Sequence, residues 1–579
     1  MQWSRWFPIL ESLDQYTRVD FGKDLSAGLT VGVMLIPQGM AYAMLTGMPP
    51  IYGLYGGFIP LFLYAIFGSS RQMSIGPVAI SSLLVLAGIS QLEEPGSAAF
   101  IELVILTGLL VGIAQLLLSM LRMGFLVNFL SHPVLVGFTS AAAVIIGISQ
   151  LKDLLGIPIP RFAHSYQTLF YAAEHIGQTH LLSVVFCLGA LVAILGLKSI
   201  HRAIPGPLIV TIIGTLLAWG FQLEGQGLAL VREVPEGLPA FEIPVLAWDK
   251  IVAVMPTVFT VTVICVVESI GIAKVLEAKH QNYVVRPDQE LLALGVSKLV
   301  GAFFQSLVTS GSFSRSAVND ESGAKSGVAS IVAASLVGLT LLFLTDLVYF
   351  LPKAVLAAII LLAIKSLFDL KEAVHLWHTH RRDFWMMLVT FLVTLVFGIG
   401  EGVVAGVTLS LMTVLYRSSR PHLAVLGKLP GTQYYRNIKR FQEAEQSDEI
   451  LILRFDDQLY FGNASYFKEN IKRLVGEKGP NLQLLIMDSS SMHDIDSTGI
   501  HALEEIHKYL EERNVRLNLC GVIGPVRDML YRVQLIDRFG KENFFMYVHN
   551  AEDAYYHGTS QENKPWNPSA IQTNIRNRQ

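Results

Sequence analysis

The chain is short of charge and of cysteine, and each scarcity excludes something. Only 15% of its 579 residues are Asp, Glu, Lys or Arg, against 52% apolar, and mean hydropathy is +0.48. Soluble domains carry about 25% charged residues, so this composition points to a bilayer. The three cysteines, Cys187, Cys265 and Cys520, sit far apart in apolar surroundings. That argues against a disulfide framework or a cysteine-based zinc site and makes them packing residues. The net charge is −3 and no Lys/Arg tract is interleaved with aromatics, so nucleic acid is not an expected partner. No nucleophile elbow or HExxH is present, and GAKSG at 323–327 lacks phosphate-loop spacing. His375, His378 and His380 lack the carboxylates or cysteines that ligand spacing would require, so neither metal nor cofactor nor enzymatic activity is expected. The first residues lack the basic start, short apolar run and cleavage site of a cleavable signal peptide, which leaves insertion to the first spanning helix.

Apolar stretches of about 20 residues, enough to cross a hydrocarbon core of about 30 Å as helix, recur along the first two thirds of the chain. They lie near 24–44, 51–67, 76–92, 100–121, 125–150, 180–198 and 206–223, then 251–276, 290–307, 313–321, 326–345, 349–366, 383–399 and 401–416. This even number, about fourteen, puts both termini on one side. Arg18, Lys23, Arg71, Arg122, Lys198, Arg202, Lys274, Lys279, Arg286, Lys325, Arg381, Arg382, Arg417 and Arg420 share that side, while the opposite loops hold chiefly Lys152, Arg161, Arg232, Lys250 and Lys353. Both termini are therefore expected to be cytoplasmic, in a multi-pass protein of the cell membrane.

Two polar, Gly- or Pro-broken stretches open short helices: SSRQMSIGPVAISS (69–82) and SLVTSGSFSRSAVN (306–319). If the membrane region is two halves of seven spans, both hold the third position of their half, the pattern of a transporter site built from discontinuous helices. A helix start carries unsatisfied N–H groups and about half a positive charge, so two starts meeting at the midplane suit an anion. Gly76 to Ala79 and Ser312 to Ser316 supply those starts; Ser312, Ser314 and Ser316 add hydroxyls, and Arg315 adds a full charge. The plainer reading is that the serines cap a helix and Arg315 reaches water or pairs with Asp320 or Glu321. Glu268, inside the eighth span, fits a proton relay or ion ligand, or else a fixed ion pair with Lys274, Lys298 or Arg315. Gln38 and Tyr42 are four apart on one helical face and could complete a ligand shell or simply bond neighbouring helices.

Beyond Pro421 the pattern becomes soluble α/β, with EILILRF, LQLLIMD and RLNLCGV as buried strands and amphipathic helices between them. The expected division is 1–23 cytoplasmic segment, 24–420 membrane domain, 421–440 linker, 441–557 soluble domain and 558–579 disordered tail.

At PIYGLYGGFIPLFLYAIFGSSR (50–71) the chain resembles the signature of the sulfate permease (SulP), or solute carrier 26, family. LIPQGMAYA (35–43), IGPVAISSL (75–83) and SGSFSRSAVN (310–319) support that resemblance. LRFDDQLYFGNA (453–464) and MDSSSMHDIDSTGIHALEEI (487–506) resemble the STAS domain shared by sulfate transporters and anti-sigma factor antagonists. The resemblance implies an α-helical polytopic fold of seven-plus-seven inverted repeats, a core domain moving against a gate domain, and a homodimer in the lipid bilayer. It implies a substrate shell of Gln38, Tyr42, Pro77, Val78, Ala79, Ser312, Phe313, Ser314 and Arg315, with Glu268 as coupling acid. A small inorganic anion is the implied cargo, sulfate foremost, with a coupling proton and alternating access. Bicarbonate or dicarboxylate transport, an uncoupled channel or exchanger, and a membrane-tethered signalling scaffold are the competing expectations. Ser497 matches the serine phosphorylated in the antagonists, although the motif also fits a simple helix cap.

Overall fold

The computed structural model describes residues 6–14, 16–124, 131–160, 162, 165–200, 206–231, 237–343, 345, 349–365 and 368–558. The tail expected over 558–579 lies, after Gly558, outside the described residues, as do Arg161, Arg202, Arg232 and the beginning of the fifth expected span.

A helix answers each expected span. The first seven are α1 (Arg18–Thr46), α2 (Ile51–Phe67), α3 (Ala79–Ile89), α4 (Ala98–Met120), α5 (His132–Ser149), α6 (Leu181–Ile200) and α7 (Gly206–Gly220). The second seven are α8 (Trp248–His280), α9 (Pro287–Phe303), α10 (Phe313–Glu321), α11 (Val328–Phe343), α12 (Lys353–Ile364), α13 (Arg381–Phe397) and α14 (Ile399–Ser419). Four stretches among the described residues are long and apolar enough to cross a membrane alone: Arg18–Thr46, Ala98–Met120, His132–Leu155 and Trp248–His280. At about 1.5 Å per residue, α3 and α10 reach only about half-way across. Their starts therefore need partners inside the protein.

The packing repeats itself seven spans on. Helix α1 packs on α11 as α8 packs on α4, and α4 on α9 as α11 on α2. Likewise α3 packs on α8 as α10 on α1, and α5 on α13 as α12 on α6. The two sets, α1–α4 with α8–α11 and α5–α7 with α12–α14, thus form two layers of one pseudo-symmetric bundle. Small residues let the crossings close. A Cβ on Gly28 of α1 would meet the Ala329 carbonyl of α11 at 2.4 Å, and one on Gly112 of α4 would meet the Leu299 nitrogen of α9 at 2.7 Å. Leu181, Val192, Trp219, Phe259, Trp385 and Phe397 face outward, as suits contact with lipid.

Chain contacts divide the molecule between Ser410 and Leu411. The second unit is built on a sheet of order β4-β3-β5-β6-β7-β8, comprising β3 (Leu423–Lys428), β4 (Tyr435–Asn437), β5 (Ile450–Phe455), β6 (Leu484–Asp488), β7 (Arg516–Cys520) and β8 (Phe544–Phe545); β1 and β2 belong to the membrane unit and are described below. From β5 to β8 the pairing is parallel, which requires helical crossovers. Two of these are α15 (Ala464–Lys478) and α16 (Ser497–Glu511), whose Phe467, Ile471, Leu503 and Ile506 bury against Leu453, Leu485 and Leu517. The stretch 421–440, expected as a linker, instead carries β3 and β4, which pair antiparallel and complete the sheet edge. The turn residues 429–434 between two short runs gave them the look of a linker.

Candidate functional site

The two broken stretches meet as an antiparallel ladder. Strand β1 (Ile75–Gly76) pairs with β2 (Ser310–Gly311), Ile75 opposite Gly311 and Gly76 opposite Ser310. Side chains and loop amides extend the ladder on both flanks. The Ser312 amide donates to the Ser74 carbonyl at 3.1 Å, the Ser74 amide to Ser316 Oγ at 3.0 Å, and Asn319 Nδ2 to the Gln72 carbonyl at 2.9 Å. From α8, Ser269 Oγ accepts the Gly311 amide at 2.9 Å. These bonds satisfy backbone that would otherwise be orphaned in the membrane interior. Helices α3 and α10 therefore both begin within three residues of one ladder.

Arg315 stands beside it with no exposed surface. Its Nη1 donates to Gln38 Oε1 on α1 at 3.3 Å, whereas Nε and Nη2 have no hydrogen-bond partner. A Cβ added to Gly76 would lie 3.1 Å from Nη2, so glycine leaves room for the guanidinium against β1. Tyr42, one turn beyond Gln38 and 4% exposed, lies within electrostatic reach of both Arg315 and Glu268. Ser312 caps α10 by accepting the Arg315 amide, and its hydroxyl lies 3.4 Å from that of Ser314. Pro77, Val78 and Ala79 are buried at the start of α3. Phe313 and Ser314 are exposed. The expected shell is thus gathered in one place, walled by α3 and α1 and open at the first residues of α10. The plainer alternative for Arg315, a pairing with Asp320 or Glu321, does not form: Asp320 is taken by Lys279 and His280.

Glu268, half-buried on α8, accepts a hydrogen bond from Ser310 Oγ at 3.0 Å, and that hydroxyl also lies 3.2 Å from Ser269 Oγ. A fixed ion pair with the three expected cations is not what forms. Lys274 bonds Glu277 and the Val285 carbonyl, Lys298 bonds Gln115, and Arg315 bonds Gln38. The carboxylate is left tied to the ladder through a single hydroxyl.

A sulfate permease family model matches residues 21–390 and a STAS domain model matches 442–551. The chain belongs to the sulfate permease family. Among its relatives, Sulfate transporter 4.1, chloroplastic, of Arabidopsis thaliana is 39% identical over 567 residues, covering 94% of this chain and 82% of that one. High affinity sulfate transporter 2 of Stylosanthes hamata is 35% identical over 574 residues, covering 95% and 86%. The solved structure of the murine solute carrier 26 family member A9 anion transporter in the inward-facing state matches with a TM-score of 0.88 at 27% identity, covering 94% of this chain and 93% of that one.

Within this permease, sequence reasoning passed over two buried carboxylates. Glu290 of α9 accepts from Tyr64 Oη at 2.8 Å, from the Ser69 amide and hydroxyl at 2.7 Å and from the Ser70 amide at 2.9 Å. Asp24 of α1 accepts from Tyr16 Oη at 2.6 Å and from the amides and hydroxyl of Lys325 and Ser326. Each acid anchors the loop that leads into a core helix, Glu290 before β1 and Asp24 before α11. Their signal was an acid near the border of an apolar stretch, a place where solvated charge is equally common.

In the STAS domain of the permease, Asp496 caps α16 by accepting the Gly499 amide at 2.7 Å. It also accepts the Phe461 amide at 2.9 Å, and Ser497 stands exposed as the first helical residue. The cap is therefore the aspartate's work, leaving the serine hydroxyl in solvent at a helix start.

Proposed function

We propose that the chain imports sulfate as a proton-coupled secondary transporter working by alternating access. The observation that carries this reading is the buried Arg315, whose Nε and Nη2 lack partners beside a ladder from which two helices begin. A buried guanidinium with free donors is costly unless an anion completes it, and two helix starts add N–H groups and partial positive charge at the same point. The relatives' names as sulfate transporters favour sulfate as that anion. Gln38, Tyr42, Ser312 and Ser314 would supply further polar contacts, Phe313 and Pro77 to Ala79 the walls, and Glu268 the proton.

The coupling follows from position. Glu268 reaches the anion pocket through Ser310, a ladder residue, and interacts electrostatically with Arg315. An anion on Arg315 disfavours a second negative charge nearby, so binding draws a proton onto Glu268. Release of either then favours release of the other, which is the thermodynamic requirement for symport. The layer α1–α4 with α8–α11 would carry the ladder as one body against the layer α5–α7 with α12–α14. The distribution of basic residues favours cytoplasmic termini, and we assign the protein to the cell membrane as a homodimer, with phosphorylation of Ser497 as a regulatory input on its STAS domain.

The reading is tested by labelled sulfate uptake into proteoliposomes. Arg315→Gln should abolish uptake while the protein still elutes as a monodisperse species; Gln38→Leu should weaken it. Full uptake by Arg315→Gln would remove the anion site from this place.

A further inference from the structure

Lys298 has no part in the site as described, and its surroundings are unusual for a lysine. It lies on α9, 3% exposed, and its ammonium donates to Gln115 Oε1 on α4 at 2.9 Å. That amide is neutral, and its own Nε2 has no partner. An interior ammonium bonded to no carboxylate is among the costlier arrangements a protein can hold, and it asks for a compensating charge elsewhere. The ionisable groups that act on it are Cys265 and Glu268, both of α8. Glu268 in turn acts on Arg315, and Arg315 on Tyr42. Among the described residues, the buried carboxylates Asp24 and Glu290 are already saturated by N–H and hydroxyl donors, Asp24 by the 325–326 loop and Glu290 by the 69–70 loop, and Asp320 is paired with Lys279 and His280. Among these buried groups, then, two cations, Arg315 and Lys298, act electrostatically on one carboxylate that is held by a single hydroxyl.

We propose that Lys298 is the second fixed cation of the anion site and sets its preference for a divalent anion bound together with one proton. This rests on the roles of Arg315 and Glu268 given above. With Glu268 ionised, the three groups leave one positive charge in surplus; with Glu268 protonated, they leave two. A dianion cancels two charges, so it is neutralised only when it arrives with a proton on Glu268. A monoanion is neutralised with Glu268 ionised and brings no proton. In a low-dielectric interior an uncancelled charge is heavily penalised. The same groups thus match a divalent anion to one proton, and removing the charge of Lys298 leaves a protonated Glu268 matched to a monovalent anion instead.

The test is sulfate and nitrate binding to the purified full chain at acidic and at alkaline pH, for wild type, Lys298→Met, Lys298→Arg and Gln115→Glu. Gln115→Glu sets a carboxylate within reach of the ammonium and cancels its charge while Lys298 stays in place. In both Lys298→Met and Gln115→Glu the sulfate-over-nitrate affinity ratio falls by at least about tenfold, and nitrate binding, which brings no proton in the wild type, now takes one up. Lys298→Arg keeps the wild-type ratio. Where Lys298→Met does not elute as a folded species, Gln115→Glu decides. An unchanged ratio in the neutralised variants overturns the proposal and leaves Lys298 a packing residue. A wild type whose sulfate binding requires Arg315 but ignores the charge of Lys298 overturns this inference alone. A wild type that binds no sulfate overturns it together with the proposed function.

Discussion

The guanidinium of Arg315 is held in place by one hydrogen bond and by the missing side chain of Gly76. Placing a methyl there brings carbon to 3.1 Å from both Nη2 and Leu35 Cδ1, so Gly76→Ala pushes the guanidinium off the ladder. We expect sulfate affinity to fall by about tenfold or more, with a stability loss of about 1–3 kcal/mol; isothermal titration and thermal unfolding of the same sample separate the two. A second residue-scale prediction concerns the STAS domain, where His507 of α16 stacks on Phe539 with centroids 4.1 Å apart. Burial holds its imidazole below the ordinary value of 6.5, against the pull of Glu511. A histidine with a depressed folded value stabilises the fold above its unfolded value and loses that contribution as pH falls through the folded one. Amide-exchange protection of residues 497–511 should therefore drop on acidification below about pH 6.5, and His507→Phe should remove the drop. Arg315 and Ser312 were legible in the sequence because polar residues inside an apolar run demand explanation. Asp24 and Glu290 were not, because their partners are loop amides that no spacing rule brings to them.

Among the elements, the ladder does what neither half-helix can do alone. Ser316 and Asn319, three apart on α10, bond the backbone of Ser74 and Gln72. Replacing either with alanine leaves a buried donor or acceptor unmet, and each should cost about 1–3 kcal/mol, read as a lowered Tm in detergent. The α1–α2 crossing is tighter still, since a Cβ on Gly53 would sit 2.0 Å from the Gly39 carbonyl oxygen. Backbone cannot yield as a side-chain tip does, so Gly53→Ala should sharply reduce the yield of monodisperse protein. The helices were readable from hydropathy, one for each expected span. A ladder of two residues per strand was not, because alternation needs about four residues before it registers. The edge strand β4 escaped for the same reason, being three residues long.

The whole molecule joins a pseudo-symmetric membrane bundle to a sheet-based STAS domain. Its symmetry is written in packing and absent from the letters: Gly112 of α4 meets Leu299 of α9 where Gly338 of α11 meets Phe58 of α2, with no shared motif between the halves. Repeats diverge in sequence while keeping small residues where helices cross. That symmetry sets two helix starts on one ladder, and the ladder sets an arginine and a glutamate within reach of each other. The central claim is that this pair couples anion to proton. Its most direct test is labelled sulfate uptake into proteoliposomes with an inward proton gradient, for wild type and Glu268→Gln. The account predicts that the gradient drives sulfate accumulation in the wild type and that Glu268→Gln, still binding sulfate, no longer accumulates it. Gradient-driven accumulation undiminished in Glu268→Gln would contradict it.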